Sequence, residues 1–511
     1  MRWVLIRPLN ESLFYDPEIQ EPLGLEYLAS TLVEQGCKAL LLDSALDNLD
    51  NCKLARRAAS FQPDAIGFSI TTDRELDSIW SIYSDCKALL AGKEVFWIAG
   101  GNYVTAEFGN AQVKLPGEFH LMRYEGETSL KTICAYWEKS SVHKIPRLIS
   151  GSPAIPLDKL PFPARRYSYH LRKYGWAFNL QGSRGCCSAC AYCASKGMRK
   201  EHHPSWRGRS PENIVRELTY LYEKYNARAF NFVDEDFLGP PSMALDRAAR
   251  FAEGIRRNKL KITMGIQVRP NSLSEEIIDY LATAGLTYVF LGIESDDPRD
   301  FKAWRRAYCD KTWDWVSRLQ EKDIEVNAGT LLFHPDCTLE GIRRFASKLR
   351  QYGLLNCRTA INRLDAMPGS SMYDEYAAAH PEHKYRGIHT LPFRNAGIEG
   401  LYQTLVDVLA PVEAPSMHAL CAMPVCRTNK VYDKDEWQLP VLRQINRVCD
   451  QRVSACFFSI LDMFETGTMQ QTKVERMIKE NICFGRSVAK NLIEHGFVRS
   501  PEALYAAINE D

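Results

Sequence analysis

Three cysteines near the middle of the chain have the spacing expected of ligands to an iron–sulfur cluster. Cys186, Cys190 and Cys193 follow the pattern C-x3-C-x2-C, after a short apolar, β-prone segment at 176–180. Thiolates are soft ligands that suit such clusters, and a four-iron cubane normally takes four protein ligands. Three closely spaced cysteines without an evident fourth therefore predict a cluster in which one iron is left open to a small molecule.

Two other interpretations of these cysteines remain open from the spacing, namely a structural zinc site and a set of buried free thiols. Structural zinc usually takes four ligands, often from two C-x2-C pairs. Cys187 lies directly beside Cys186 and is a further thiol on the same loop. Its side chain would have to turn back on that loop to act as a ligand, so we interpret Cys187 as a bystander.

The cysteine segment resembles the signature of the radical S-adenosylmethionine (SAM) family, in which an aromatic residue stands just before the last cysteine, as Tyr192 does here. The resemblance implies a [4Fe-4S] cluster held by Cys186, Cys190 and Cys193, with SAM bound to the open iron and Tyr192 beside its adenine. It also implies cleavage of SAM to a 5′-deoxyadenosyl radical, with electrons from an external donor of the flavodoxin or ferredoxin type.

Strands and helices alternate around this segment and predict a partial, TIM-like (β/α)6 barrel over residues 176–375. The predicted strands are 176–180, 227–233, 261–268, 287–291, 325–332 and 358–364. The site of such a barrel lies at the C-terminal ends of its strands. There the resemblance places Asp234, Glu235 and Asp236 at the SAM amino group, and Glu294 and Ser295 at its carboxylate or ribose. Acidic residues at strand ends are also common as solvated loop residues.

Residues 1–140 predict a doubly wound, Rossmann-like α/β domain, which binds ligands at the C-terminal ends of its strands. Four loop segments match the pattern of cobalamin-binding domains fused to radical SAM enzymes, and their glycines permit close backbone approach to a bulky ligand. The resemblance implies cobalamin contacts at Pro22, Gly24, Ser69, Thr71, Thr72, Gly100, Gly101, Glu125, Gly126 and Glu127. The alternative is a flavodoxin-like domain that has lost its cofactor.

No histidine precedes His120 in the chain. The loop at 8–21 therefore offers no imidazole to cobalt, whereas many cobalamin proteins supply one from an Asp-x-His-x-x-Gly loop after the first strand. We predict that cobalamin binds base-off, without a histidine ligand.

Length and composition limit the class of protein. The chain has 511 residues, more than one ordinary core holds, and its 64 basic and 63 acidic residues give a net charge of +1. This balance argues against a nucleic-acid-binding surface over the whole protein. No apolar run approaches the roughly 20 residues of a membrane span, and the N-terminus does not resemble a signal peptide. The sixteen cysteines are then typical of a cytoplasmic protein with reduced thiols and a cluster.

The remaining segments carry weaker signals. Residues 141–175 predict a proline-punctuated linker, in which we interpret Arg165, Arg166, Arg172 and Lys173 as a solvated face. Residues 376–511 predict a mostly helical region that shapes or covers the substrate pocket, with a small helical or winged-helix unit formed by helices at 474–480 and 486–495. Four cysteines there are interpreted as buried thiols, with a second cluster as the alternative: Cys421, Cys426, Cys449 and Cys456.

The resemblance covers about residues 1–375 and implies a cobalamin-dependent radical SAM methyltransferase. Such an enzyme methylates an unactivated carbon of a small metabolite or peptide through the 5′-deoxyadenosyl radical and methylcobalamin. Two alternatives remain. One is a cobalamin-dependent cyclase or ring-rearranging oxidase that transfers no methyl group, and the other is a sensor that binds cobalamin or a cluster without turnover.

Overall fold

The computed structural model describes residues 1–8, 20–139, 144–174, 176–199, 204–380, 388–431 and 438–497, together with residues 504 and 508. Side chains are described in these ranges except at residues 174, 418 and 420–431. Cys421, Cys426 and most of the loop at 8–21 therefore lie outside the described side chains.

The N-terminal part of the chain forms a six-stranded, fully parallel sheet in the order β2-β1-β3-β4-β5-β6. Its elements are β1 Arg2–Arg7, α1 Leu23–Glu34, β2 Lys38–Asp43, α2 Ser44–Asp47, α3 Asn51–Ser60, β3 Ala65–Ser69, α4 Leu76–Leu89, β4 Phe96–Gly100, α5 Asn102–Ala106, α6 Phe108–Lys114, β5 His120–Arg123, α7 Glu127–Glu138 and β6 Leu148–Ser150. The strand order reverses between β1 and β3, so a crevice forms at their carboxyl ends. The predicted doubly wound sheet is confirmed.

Both faces of this sheet are covered, which explains its near-continuous apolar strands. Trp3 and Leu5 of β1 pack into one hydrophobic cluster with residues of α1 and α7. Val4 and Ile6 point to the other face and pack with residues of α3 and α4. Strand β6 lies within the segment predicted as linker, and it joins this sheet because Leu148–Ser150 pairs in parallel with β5.

The connecting segment holds the two domains together through a buried ion network. Arg165, predicted to be solvated, is only 3% exposed. Its guanidinium donates to Glu21 over 2.6 Å and to Glu217 over 2.8 Å, while its backbone N–H donates to Glu26. Burial, and then the neighbouring Glu21, raises the pKa of Glu26 to about 8. The prediction of a solvated face was wrong for Arg165, because three carboxylates from both domains surround it.

The central part of the chain forms a second parallel sheet in the order β13-β12-β11-β10-β7. Its elements, with the short helix that precedes it, are α8 Ser168–Tyr174, β7 Phe178–Leu180, β8 Ser183–Gly185, β9 Trp206–Gly208, α9 Pro211–Tyr225, β10 Ala229–Phe232, α10 Pro241–Arg257, β11 Thr263–Val268, α11 Glu275–Thr283, β12 Leu286–Glu294, α12 Pro298–Ala303, α13 Thr312–Glu321, β13 Glu325–Thr330, α14 Leu339–Gln351 and α15 Cys357–Ile361. Helices follow the strands as in a partial (β/α) barrel.

The sixth predicted barrel strand, at 358–364, was wrong. This stretch instead begins with helix α15, whose first turn is capped by the side chain of Asn356. In the described part of the chain, one isolated parallel bridge, between Phe333 and Arg363, continues the barrel beyond β13. Asn356 favours a helix here, because its side chain caps the first turn and so gives the backbone an alternative to the hydrogen bonds of a strand.

The C-terminal part contains a two-stranded antiparallel sheet, a short helix between its strands and three long helices: β14 Asp365–Ala366, α16 Ser371–Ala379, β15 His389–Thr390, α17 Ala396–Val431, α18 Gln438–Glu465 and α19 Gln471–Glu494. The predicted break near residue 481 was wrong, since α19 is continuous. Gly485, which falls between the two predicted helices, lies where a Cβ would be 2.1 Å from the carbonyl oxygen of Pro411. The glycine therefore serves close packing against α17.

Among the described residues, no helix combines the length and apolar character needed to cross a membrane.

Candidate active site between the two domains

A cavity of about 410 Å³ lies between the carboxyl ends of the N-terminal strands and the cysteine loop. The N-terminal domain contributes, among others, Gly24, Gly67, Ser69, Gly100, Gly101, Glu125, Gly126 and Glu127. The barrel side contributes Gln181, Arg184, Gly185, Ser195, Met198, Arg199, Arg207 and Glu235. Most of the predicted cobalamin contacts therefore share this cavity with Glu235, which is predicted for the SAM amino group, whereas Cys186, Cys190, Cys193 and Tyr192 are not among its lining residues.

Five glycines, Gly24, Gly67, Gly100, Gly101 and Gly126, contribute to an N-terminal wall that also carries apolar side chains. At Gly24, a Cβ would meet no atom within 4 Å, so the glycine leaves open space above the first turn of α1. At Gly101, φ is +105° and a Cβ would lie 2.4 Å from the carbonyl oxygen of Ile70. Only glycine fits there. A wall of this kind fits a bulky planar ligand that must approach the chain closely.

The remaining residues predicted to contact cobalamin are divided. Ser69 lines the cavity, whereas Pro22, Thr71 and Thr72 are not among its lining residues. The backbone amides of Thr71 and Thr72 donate to the carboxylate of Glu75, over 2.6 and 3.5 Å. Pro22 precedes α1, and its carbonyl accepts from the amide of residue 26. In the structure, these three residues shape the loops rather than the cavity surface.

A two-stranded antiparallel ribbon, β8 paired with β9, leads directly into the cysteine loop. Gly185 ends β8 with φ +82°, and a Cβ there would lie 2.2 Å from the carbonyl oxygen of Ser205. Further on, the amide of Ala191 donates to the carbonyl of Trp304, and its own carbonyl accepts from the amide of Met372. Backbone contacts thus fix the loop at its start and near its end. This ribbon left no signal in the sequence.

Of the three predicted ligand thiols, Cys190 is buried, Cys186 and Cys193 are partly buried, and hydrogen-bond donors lie beside Cys186 and Cys190. Burial raises the pKa of Cys186 to about 12 and raises that of Cys193. The amide of Ser188 lies 3.4 Å from the Sγ atom of Cys186, and Nη1 of Arg306 lies 3.7 Å from that of Cys190. Such thiols stay protonated until metal displaces the proton, and the donors then stabilise the thiolates. The donor set fits a cluster.

Within the described residues, no three His, Cys, Asp or Glu side chains converge as ligands of a single metal ion. A cubane places each thiolate on a separate iron.

Cys187 is engaged away from its three neighbours. Its Sγ atom lies 2.8 Å from Nη2 of Arg269 and 3.6 Å from the carboxylate of Asp236. Arg269 also donates to Asp236 over 2.9 Å. The arginine and the aspartate hold this thiol, which supports its interpretation as a bystander.

The three acidic residues after β10 point in different directions. Asp234 is 1% exposed and accepts from the amide of Gly182 over 2.9 Å and from the Ser183 hydroxyl, and burial raises its pKa to about 6. Asp236 is buried against Arg269. Glu235 alone of the three lines the cavity. Asp234 therefore supports the loop below β8, while Glu235 is placed to meet a cationic amine.

Tyr192 and Glu294 meet at Arg306, a residue that the sequence did not single out. Nη1 of Arg306 lies 3.1 Å from the Tyr192 hydroxyl and 3.2 Å from the Glu294 carboxylate. Burial raises the pKa of Glu294, although Arg306 opposes this shift. The Tyr192 ring packs edge-on against Trp304. Arg306 thus connects the end of β12 to the cysteine loop.

Ser295 belongs to a separate buried chain of polar groups. Its hydroxyl donates to Asp300, whose carboxylate lies 3.6 Å from Nε2 of His334. Neither Glu294 nor Ser295 lines the cavity.

Comparison with known proteins agrees with this architecture. Residues 180–349 match the model of the radical SAM superfamily. An uncharacterized methyltransferase of Pyrococcus horikoshii is 26% identical over 351 residues, covering 64% of this chain and 73% of the relative. An anaerobic magnesium-protoporphyrin IX monomethyl ester cyclase of Synechocystis is 25% identical, covering 56% of this chain and 59% of the relative. A hopanoid C-3 methylase of Methylococcus capsulatus is 25% identical, with 56% of each chain covered.

Solved structures share the fold across most of the chain. The cobalamin-dependent SAM radical enzyme OxsB, with aqua-cobalamin and SAM bound, superposes with a TM-score of 0.72 at 14% identity, covering 99% of this chain and 83% of that one. The radical SAM methyltransferase TsrM of Kitasatospora setae, with cobalamin and a [4Fe-4S] cluster bound, gives 0.59 at 15% identity, covering 74% and 75%. At these identities, the likeness establishes the fold, including the helical C-terminal region.

Proposed function

We propose that this chain, which contains a radical SAM domain at residues 180–349 in a fold shared with cobalamin-dependent radical SAM enzymes, is a methyltransferase that acts on an unactivated carbon of a small metabolite or peptide. The observation that carries the proposal is the shared cavity. Its N-terminal wall carries Gly24, Gly67, Gly100, Gly101 and Gly126, which together we call the glycine cradle. Its opposite wall is formed by residues on either side of the cysteine loop. The relatives named as methylases support the same reaction class.

When bound, the [4Fe-4S] cluster, SAM and cobalamin supply the radical and methyl-transfer chemistry. The chain's own residues bind, orient and enclose them. Cys186, Cys190 and Cys193 would hold the cluster, and Glu235 would meet the SAM amine from the cavity wall. Gly24 would leave room for the corrin, while Gly101 lets its loop pack directly against the backbone of Ile70. A substrate radical must react with the methyl group before it reacts with solvent or protein. The main contribution of the protein is therefore to hold the reacting groups in a fixed orientation.

The described part of the N-terminal domain offers no imidazole at the cavity that could ligate cobalt. His120 is the first residue of β5, at the sheet edge opposite the cavity, and its Nδ1 lies 2.9 Å from the Pro146 carbonyl oxygen. Base-off binding without a histidine ligand therefore stays our prediction.

An electron donor of the flavodoxin or ferredoxin type and a cytoplasmic location complete the proposal. The cysteines whose side chains are described are free thiols, as expected in a reducing compartment.

The proposal predicts two different products from SAM. In anaerobically reconstituted, reduced protein, we expect S-adenosylhomocysteine to form only when cobalamin is supplied. We expect 5′-deoxyadenosine to form with or without cobalamin, because that reaction needs only the cluster side of the cavity. Chromatography with mass detection measures both.

Other outcomes would contradict methyl transfer. Formation of 5′-deoxyadenosine without S-adenosylhomocysteine would favour a reaction of the cyclase type, as named for the Synechocystis relative. Formation of neither product would favour a sensor. Once the substrate is known, a mass gain of about 14 Da identifies the added methyl group, because the hydrogen that it replaces is carried away in 5′-deoxyadenosine.

A further inference from the structure

An arginine in the ribbon that leads into the cysteine loop reaches across to the N-terminal domain. Arg184 belongs to β8, two residues before Cys186, and stands opposite Arg207 of β9. Both line the cavity, together with Glu125 from the loop after β5 and Glu127, the first residue of α7. The two arginines and two glutamates, which we call the interdomain clamp, therefore connect the walls assigned to the two cofactors.

All three nitrogens of the Arg184 guanidinium are bound. Nη1 donates to Glu125 over 2.9 Å, and Nη2 donates to Glu127 over 2.6 Å. Nε donates to the side-chain oxygen of Gln181 over 2.7 Å. Since the guanidinium fork is planar and rigid, bonding to two carboxylates fixes the direction as well as the distance of the contact. A lysine could not reproduce this geometry.

The other arginine of the clamp, Arg207, connects the clamp to the segment between the two domains. Arg207 pairs with Glu125 and donates to the carbonyl of Ala154 over 2.9 Å, while Glu125 accepts from the amide of Ala154 over 3.0 Å. At Gly151 a Cβ would lie only 2.0 Å from the carbonyl oxygen of Glu125, so the backbones are packed directly together. The clamp thus joins three segments at one point of the cavity wall.

The clamp is balanced in charge and largely screened from water. The side chains of Arg184 and Glu127 are 13% and 6% exposed. Although burial alone would raise the pKa of Glu125, Arg207 and Arg184 lower it, so its carboxylate stays ionised. Removing one partner from such a pair leaves an uncompensated buried charge, which costs more than the pair itself contributes.

We propose that Arg184 is a positioning residue, which sets the distance and angle of the cysteine loop relative to the glycine cradle through its bonds to Glu125 and Glu127. This inference rests on the proposed function, since the geometry matters only where groups on the two walls react together. A misplacement of about 1 Å in such a site can cost about 100-fold in rate.

The first test uses cofactor-free protein and amide hydrogen exchange. In Arg184→Met, exchange at 183–185 and at 125–127 should be at least about tenfold faster than in the wild type. The double variant Arg184→Met, Glu127→Leu should be no faster than Arg184→Met alone, because both changes break the same contact. Arg250→Met is the matched control, since it breaks an exposed pair with Glu212 on the outer surface.

The second test uses loaded protein. Arg184→Met should keep its iron content and lose S-adenosylhomocysteine formation at least about tenfold more than 5′-deoxyadenosine formation, because misalignment of the two walls affects the reaction that spans them. Unchanged exchange, or equal loss of both products together with iron, would overturn the positioning role. If the wild type forms no S-adenosylhomocysteine, the proposed function fails, whereas the exchange experiment still decides whether the clamp exists.

Discussion

Alanine at Cys186, Cys190 or Cys193 is expected to abolish cluster binding and all cleavage of SAM, whereas Cys187→Ala is expected to retain both. Three thiolates hold three irons of a cubane and leave the fourth open, so loss of one thiolate leaves the cluster poorly held. Cys187 differs because its thiol lies 2.8 Å from Arg269. Iron and sulfide analysis, visible absorption of the reconstituted cluster and 5′-deoxyadenosine release measure the effect.

Cys187→Ala is also the matched control for these variants, since it removes an adjacent thiol from the same loop. A fully loaded cluster in Cys190→Ala, or loss of the cluster in Cys187→Ala, would refute the ligand assignment.

Gly24→Trp is expected to weaken cobalamin binding by about tenfold to a hundredfold, because the indole would occupy the space that the glycine leaves open. A Cβ at Gly24 meets nothing within 4 Å, so the side chain can enter the cavity without displacing the protein. SAM cleavage should persist, since the cysteine loop is untouched. Cobalt analysis after gel filtration and equilibrium titration with cobalamin measure the change.

Gly117→Trp is the control, because this glycine also has open space at its Cβ but lies outside the cavity lining. If both variants bind cobalamin like the wild type, the ligand does not occupy the space beside Gly24 and the proposed cradle is wrong.

Local patterns in the sequence were sufficient for the architecture. The alternation of apolar strands with helices predicted both parallel sheets, because the spacing of apolar residues and the order of the elements can be read directly from the sequence. The pair Gly100–Gly101 was singled out after β4, and the structure shows the reason at Gly101, whose φ of +105° excludes a side chain. The spacing of the three cysteines predicted that they lie on one loop, because they are close together in the sequence.

Contacts between distant segments could not be predicted in this way. Arg184 and Arg165 find carboxylates of the other domain 57 and 144 residues away, respectively. Arg306 reaches Tyr192 across 114 residues. The sequence alone does not show whether an arginine is exposed or buried, or with which residue it pairs. The pairing is evident only when the tertiary structure brings the two residues together. The packing of Gly485 was not evident for the same reason, because its close neighbour Pro411 lies on another helix.

The central claim is that cobalamin and the cluster face one cavity from opposite domains. Electron paramagnetic resonance of protein that holds both cob(II)alamin and the one-electron-reduced cluster tests it most directly. Two unpaired spins across this cavity should interact, so the cobalt signal should broaden and relax faster when the cluster is reduced. If the spectrum is the plain sum of the two separate signals, with unchanged relaxation, the cofactors do not share the cavity and the account is contradicted.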